Sequence, residues 1–383
     1  MLSKKLKVVF IADMDLSKIS GDVIRTIAFA NELKNNGLDV TILSNQPTAN
    51  KLAMKLQNIN LIFTNVKYGG GSILNILKRT WALIRKASQL DNDHVFIIET
   101  SLLGGYFALT RFPKYILDMH GIYFSEIDYN SIPSYIPKGL YKRYNKFLEK
   151  QGVIKADKVI TVSNSMFNYI TNNFGVSKNK VEIIPNGYFD DMINKISKKN
   201  IKQEKGMITF VGNLAKWANV DKIIRAAKKL ENEKVEFFIV GDGVYRKKYE
   251  KLLNEYEIKN VIFTGRIPIE EAYTMIVQSE IMLSPFPEKL YARVACPIKV
   301  LEYMAFGKAM VIDEVDDMSR FLKEKNAAII CDPNRDDEFV DKILLLLNNQ
   351  ELKREIGKNA LSLSKEFSWK NQGVKLACIL EDF

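Results

Sequence analysis

Two doubly wound α/β domains with parallel sheets are what this sequence predicts, and three observations predict them. Short β-branched runs alternate with segments of helical period from end to end, the pattern of repeated βαβ units. Several of these runs finish in glycine or polar turn residues. Midway, residues 191–206 are polar, Lys/Asn-rich and without a sustained apolar period, and they split a 383-residue chain into two halves of ordinary domain size. The expected organisation is a first domain over 1–190, a linker over 191–206, a second domain over 207–366 and a closing helix over 367–383 that crosses back to the first. Ligands of such folds sit at the carboxyl ends of the strands.

In the first half the strands are expected at 6–12, 38–43, 61–64, 95–98, 115–118, 158–162 and 181–184. Ser20-Gly21-Asp22 follows the first strand and opens a helix whose Val23, Ile27, Ala30 and Leu33 share one side, with Gly37 at its end. A glycine there lets backbone N–H groups approach a phosphate, although an ordinary N-cap has the same look. Asp118-Met-His120-Gly121 ends a strand, which places His120 where a sugar hydroxyl or a reacting centre would sit. A structural histidine is an equal alternative. Ala156-Asp157 to Ser163 and Asn186-Gly187 also end strands, and both are common turn punctuation.

In the second half the strands are expected at 207–211, 235–240, 261–264, 281–284, 309–312 and 327–331. Phe210-Val-Gly212-Asn213 and Lys216 follow the first of them, before a helix packed through Ile223, Ala226, Ala227 and Leu230. Val240-Gly241-Asp242-Gly243 follows the next, without the third glycine and spacing of a dinucleotide fingerprint, which argues against hydride chemistry. No P-loop is present. Pro297 suits a helix start and Gly307 its end. Between them Ile298, Leu301 and Ala305 share one face. Lys299 and Glu302, three apart near the helix start, are a cation and an anion beside free N–H groups, suited to a diphosphate and a ribose.

Composition narrows the class. Apolar content of 47% and charged content of 26% describe a globular protein. No run reaches the ~20 apolar residues of a membrane span, and Met1 to Lys5 lead into a strand without a cleavage site, so a cytoplasmic protein is expected. Cys296, Cys331 and Cys378 are few and far apart, and two histidines, His94 and His120, do not build a histidine metal site. The charge is uneven. Residues 1–200 carry 27 Lys+Arg against 16 Asp+Glu, whereas residues 201–383 carry 29 of each. A basic first half suits an acidic partner. Without a nucleic-acid motif, an anionic membrane surface or a phosphorylated acceptor is favoured. Segments 74–86 (Lys78, Arg79, Trp81, Arg85, Lys86) and 136–150 (Lys142, Arg143, Tyr144, Lys146, Phe147) interleave cations and aromatics, as an interfacial helix does. Their apolar stripes are expected to face inward, with the charges toward lipid. The pairs Asp13/Asp15 and Asp91/Asp93 have the Asp-x-Asp form of some sugar-transferase metal sites, and solvated turn acids are the stronger reading.

Taken in order, these motifs resemble the retaining, nucleotide-sugar-dependent glycosyltransferases of family 4, which have the GT-B fold. The glycine loop at Gly21, Asp118/His120-Gly121, Asp157 to Ser163, Asn186-Gly187, Phe210-Val-Gly212, Gly241-Asp242-Gly243, Phe263-Thr-Gly265, Ser284-Pro285 and Glu302-Tyr-Met-Ala to Gly307 span nearly the whole chain. The resemblance implies an acceptor-binding first domain and a nucleotide-sugar-binding second one. Glu302 would meet the ribose, Arg266-Ile267 the base, Gly21 and Asp22 the diphosphate, and His120 the donor sugar. No metal or other cofactor is implied, because side chains and helix N-termini stabilise the leaving diphosphate. The reaction would move a hexose-type sugar from a UDP- or GDP-sugar to a glycan or lipid-linked acceptor in polysaccharide or glycolipid synthesis. Three departures stand out. Asn213 and Ala218 replace a family Arg and Lys, and Val294 replaces the first glutamate of the paired motif. Lys299, with Arg293 or Lys216, would supply the missing charge, in a branch with Lys-x-x-Glu-Tyr-Met-Ala. The alternative is a non-catalytic glycosyltransferase-like partner subunit.

Overall fold

The computed structural model describes residues 6–69, 72–91, 93–127 and 136–383, and the chain divides into two compact units. Unit 1 is Met1–Asn186 with Val294–Cys296 and Trp369–Phe383; unit 2 is Gly187–Arg293 with Pro297–Ser368.

Unit 1 runs β1 (Lys7–Ala12), α1 (Gly21–Asn35), β2 (Asp39–Gln46), β3 (Asn60–Lys67), α2 (Ile73–Ala87), β4 (His94–Glu99), α3 (Ser101–Ala108), β5 (Tyr115–Met119), α4 (Tyr123–Glu126), α5 (Lys138–Lys155), β6 (Lys158–Thr161), α6 (Asn164–Phe174) and β7 (Val181–Ile183). Its sheet is parallel, in the order β3-β2-β1-β4-β5-β6-β7. Val8 to Ala12 are all buried, as expected of a strand covered on both faces. The strand order reverses between β1 and β4, so the loops after these strands open at the switch point. Glycine fixes one helix pair here. A Cβ on Gly105 of α3 would strike the Leu148 carbonyl of α5, and one on Gly152 of α5 would lie 2.7 Å from the Gly105 nitrogen.

Unit 2 runs α7 (Asp190–Ser197), β8 (Met207–Val211), α8 (Val220–Lys229), β9 (Glu236–Val240), α9 (Arg246–Glu255), β10 (Val261–Gly265), α10 (Ile269–Gln278), β11 (Ile281–Ser284), α11 (Leu290–Arg293), α12 (Ile298–Ala305), β12 (Met310–Asp313), α13 (Asp317–Glu324), β13 (Ile329–Cys331), α14 (Asp336–Asn348) and α15 (Gln350–Ser364). Its parallel sheet has the order β10-β9-β8-β11-β12-β13, with the switch between β8 and β11. Ile208, Phe210, Phe237, Ile239 and Leu283 of these strands meet Ile223, Ala227, Phe339 and Ile343 of the covering helices in one core.

All thirteen segments expected to be strands are strands. The span 191–206 is a correction. Unit 2 already begins at Gly187, and Asp190–Ser197 form α7, tied to α10 by Lys195 Nζ to Glu270 Oε1 at 2.7 Å. Ile193 and Ile196, spaced three apart, are too few for a sequence period to register, yet both are buried. The final helix, α16 (Trp369–Glu381), belongs to unit 1. Its Trp369 ring meets Phe29 of α1 edge-on at 5.4 Å, and Gly373 packs flush against the Glu32 side chain.

Candidate functional site

In unit 1 the loops after β1, β4 and β5 gather a cluster of charged groups. Arg25, fully buried on α1, is its hub. Its Nε donates to Asp118 Oδ2 at 2.7 Å and its Nη2 to Asp118 Oδ1 at 2.9 Å, a fork-to-fork pair. The same guanidinium reaches the Ile184 carbonyl at 3.1 Å and Asn186 Oδ1 at 3.0 Å, and stacks 4.6 Å above Phe29. Asn186 in turn donates to the Cys296 carbonyl at 2.7 Å. The Asn186-Gly187 turn is therefore structural wiring rather than simple punctuation.

His120 follows Asp118 at the end of β5, with Nδ1 4.0 Å from Oε2 of the buried Glu99. Burial lowers the His120 pKa, which favours the neutral ring, while burial and the Asp118 charge push Glu99 well above the usual carboxylate range. Glu99, Asp118 and His120 bring their ligand atoms within 4.8 Å of one another. Arg25 holds both Asp118 oxygens, so within this group Asp118 is already engaged in an ion pair.

Next to it, Glu149 of α5 accepts from the Ser101 hydroxyl and from the amides of Tyr123 at 2.8 Å and Phe124 at 2.9 Å, which fixes the chain just after Gly121. Burial pushes Glu149 up to about 7. Glu126, whose Oε1 would lie 2.8 Å from a Cβ on Gly121, is pushed up to about 8 by burial and by Glu149. Gly21 opens α1 and Asp22 sits in its first turn. A Cβ on Gly21 would meet nothing within 4 Å, so no packing within the protein demands glycine there.

In unit 2 the loop after β8 and the start of α12 meet. Lys299 Nζ lies 4.2 Å from the Phe210 ring centre and 4.7 Å from that of Phe286, and would be 3.7 Å from a Cβ on Gly212. The two rings form an aromatic cage for a cation. Phe286 is held by its N–H, which donates to Asp313 Oδ2 at 2.9 Å. The other Asp313 oxygen accepts from the buried Lys222 at 2.6 Å. Burial lowers the Lys299 amine to about 7, with Asp316 opposing. Glu302, one turn on, accepts from the Tyr273 hydroxyl at 2.8 Å, and burial pushes it up to about 7. Gly241 has φ +133°, and a Cβ there would collide with the Gly212 carbonyl, so the two loops meet backbone to backbone at this point.

Of the cations expected to serve a nucleotide in unit 2, Lys299 is the one set beside Gly212. Arg293 is exposed and paired with Glu288 at 2.6 Å. Lys216 and Arg266 are exposed, on loops after β8 and β10, with Ile267 beside Arg266 half-buried. Asn213 is exposed, while Ala218 and Val294 are buried apolar residues.

Other expectations need correction. Asp13 and Asp15 are not solvated turn acids. Asp13 pairs with Arg79 at 3.0 Å and accepts from Asn45 at 2.9 Å; Asp15 is buried and takes bonds from Ser17 and Thr48, which hold its carboxyl below the usual range against the effect of burial. Asp91 and Asp93 are exposed. Arg79 is buried with Asp13, so it does not face outward. On α2 the residues Leu74, Lys78, Trp81 and Arg85, spaced i, i+4, i+7 and i+11, form an outer stripe, with Leu74 77% and Trp81 60% exposed. On α5 Leu140, Arg143, Tyr144, Phe147 and Ile154 do the same. Both helices also bury an apolar side, Leu83 and Ile84 in α2 and Leu148 and Val153 in α5, so each carries apolar residues on two faces.

Sequence reasoning missed Arg25, Glu99, Glu149, Tyr273 and Phe286. The signal for two of them was a lone charge in an apolar run: Arg25 within Val23–Ala30 and Glu99 at the end of Val95–Ile98.

Comparison with known proteins bears on this geometry. Residues 19–190 match the model described as Glycosyltransferase Family 4, and residues 191–362 match Glycosyl transferases group 1. An uncharacterised glycosyltransferase of Methanocaldococcus jannaschii is 29% identical over 313 residues, 78% of this chain and 77% of that protein. A second from the same archaeon is 25% identical, over 58% of this chain and 59% of its own length. Among solved structures, sucrose-phosphate synthase of Thermosynechococcus elongatus superimposes with a TM-score of 0.82 at 15% identity, covering 99% of each chain. Anabaena HepE in complex with UDP-glucose does so with a TM-score of 0.75 at 15% identity, over 99% of this chain and all of that one.

Proposed function

We propose that this chain, which belongs to the family 4 glycosyltransferases and has their GT-B fold, moves a hexose-type sugar from a UDP- or GDP-sugar to a glycan or lipid-linked acceptor with retention of anomeric configuration. The observation that carries this reading is the Lys299/Glu302 pair of unit 2. A caged cation stands beside the Gly212 loop, and a buried acid one turn further along α12 is oriented by Tyr273. Glu302 holds the ribose hydroxyls, and Lys299 holds the diphosphate in place of the family's Arg and Lys. Backbone of Gly212, Asn213 and Gly241 borders the phosphates, and Arg266-Ile267 borders the base. Anabaena HepE, which shares this fold, was solved in complex with UDP-glucose, and that supports a nucleotide-sugar donor.

Chemistry follows from charge. As the sugar–oxygen bond breaks, negative charge grows on the diphosphate and positive charge on the sugar ring. A fixed ammonium and helix N-termini stabilise the first without reorganisation. By the family resemblance, His120 is assigned to the donor sugar, and Gly21 and Asp22 to the diphosphate. No step uses a metal, because Lys299 supplies the cation. No helix among the described residues is long and apolar enough to cross a membrane. The stripes on α2 and α5 are read as a peripheral contact to the anionic inner face of the membrane, where a lipid-linked acceptor would be reached.

Calorimetric titration with UDP-, GDP-, dTDP- and ADP-sugars tests the donor site. One class binds in the micromolar range, and Glu302→Ala abolishes it. A folded protein that binds none of them points to a partner subunit without catalysis.

A further inference from the structure

Glu99 has no role in the account so far, yet its situation demands one. It closes β4, its side chain is fully buried, and its carboxyl has beside it only the Thr26 hydroxyl of α1, which already donates to the Asp22 carbonyl at 3.0 Å. Nδ1 of His120 is also buried and unpartnered, and it lies 4.0 Å from Glu99 Oε2. Buried polar groups in native proteins are nearly always well paired, so a poorly paired buried acid facing an unpartnered ring nitrogen calls for an explanation. The groups around them come from β5 and α1: Asp118 with both oxygens on Arg25, Arg25 itself, Asp22 and Thr26.

We propose that Glu99 is a positioning residue for His120: its protonated carboxyl donates to Nδ1, which fixes the ring as the neutral Nε2–H tautomer and presents that N–H to the ligand. The state of each group suits this arrangement. Burial, then the Asp118 charge, keep the proton on Glu99, with Arg25 opposing; burial keeps the imidazole neutral, with Asp118 opposing. Glu99 thus carries the proton that Nδ1 lacks. The gap exceeds a hydrogen bond by about 1 Å, and such contacts commonly tighten when a ligand closes the site. No bond is made or broken: the proton stays on Oε2 and is shared with the Nδ1 lone pair. Once Glu99 ionises at alkaline pH, its carboxylate accepts instead. The ring proton moves to Nδ1, and Nε2 becomes a bare acceptor. His120 then loses its donor function without any change in position. Only the catalytic consequence rests on the proposed transferase reading; the tautomer is a property of the protein itself.

The protein has two histidines, so ring-15N labelling and long-range 1H–15N spectra give two spin systems, assigned with His94→Gln. At pH 7 the expected His120 signal is that of the neutral Nε2–H tautomer. It is kept in Glu99→Gln, whose amide also donates, and lost in Glu99→Leu. In turnover, Glu99→Leu lowers kcat by about 10–100-fold, as loss of an orienting partner does, with donor KM within threefold. Glu99→Gln restores most of that loss and removes the alkaline limb of the pH profile. An Nδ1–H tautomer or an imidazolium at pH 7 in the unmodified protein overturns the proposal, as does a shift of the His120 signals by micromolar Mn2+ or Zn2+, which would make the cluster a cation site. Should Glu99→Leu fail to fold, the unmodified protein and Glu99→Gln still decide the question. Absence of transferase activity would sink the functional reading and leave the tautomer result standing.

Discussion

Replacing Lys299 with methionine is expected to strengthen the fold and weaken donor binding, and the two effects have one cause. The amine is lowered from 10.5 to about 7 because burial penalises its charge. At ~1.4 kcal/mol per unit that shift corresponds to a ceiling of ~5 kcal/mol. The side chain keeps some solvent contact, which brings the cost to about 2 kcal/mol. Its pKa is depressed on folding, so the unfolded chain binds the extra proton between pH 7 and 10.5. The cost is present in full below pH 7 and fades as pH rises toward 10.5. Lys299→Met is thus about 2 kcal/mol more stable at pH 6, with the difference vanishing near pH 10. A donor diphosphate reverses the balance by supplying the missing counter-charge. Hydrogen bonds to a charged group contribute ~1.5–3 kcal/mol, so the variant binds donor roughly 10–150-fold more weakly at pH 6. In the unmodified protein Kd rises about tenfold per unit above pH 7, because the neutral amine must first take up a proton. Urea melts and calorimetric titrations from pH 6 to 9 measure both. A Lys299→Met protein that binds donor normally at pH 6, or an unmodified protein whose Kd stays flat to pH 9, refutes the reasoning.

Three further outcomes are expected. Arg25→Leu leaves Asp118 buried without its partner and costs ~3–5 kcal/mol, read as a fall in urea midpoint; an unchanged midpoint would mean the fork contributes nothing. Gly241→Ala drives a Cβ into the Gly212 carbonyl at a positive φ, and is expected to lose donor binding in titration while lowering the melting temperature by several degrees. The double variant Trp81→Ala/Phe147→Ala removes exposed rings, so its stability stays within about 0.5 kcal/mol. Its partition onto vesicles containing anionic lipid falls severalfold in flotation, and equal partition onto purely zwitterionic vesicles would remove the electrostatic argument.

The fold was legible because parallel strands buried on both faces appear as uninterrupted apolar runs, and each such run from Lys7–Ala12 to Ile329–Cys331 was found within one to three residues of its ends. The helix α12 was legible because its proline, its terminal glycine and the Lys299/Glu302 spacing are all local. What stayed hidden depends on distant partners. Arg25 looks like any helical cation until Asp118, 93 residues away, and Asn186 close on it. Asp13 looks like a turn acid until Arg79 arrives from α2. Phe286 gains its role only when Asp313 takes its N–H. The outer stripes of α2 and α5 were misjudged for a different reason: each helix carries apolar residues on two faces, and periodicity alone does not say which one the sheet takes.

The most direct test of the central claim is nucleotide release from UDP-, GDP-, dTDP- and ADP-sugars in the presence of anionic vesicles carrying extracted native lipids, compared between the unmodified protein and Glu302→Gln. Turnover of one donor class is expected, lost in the variant, with a product whose new linkage keeps the donor's anomeric configuration. Release unaffected by Glu302→Gln, or an inverted linkage, would contradict it.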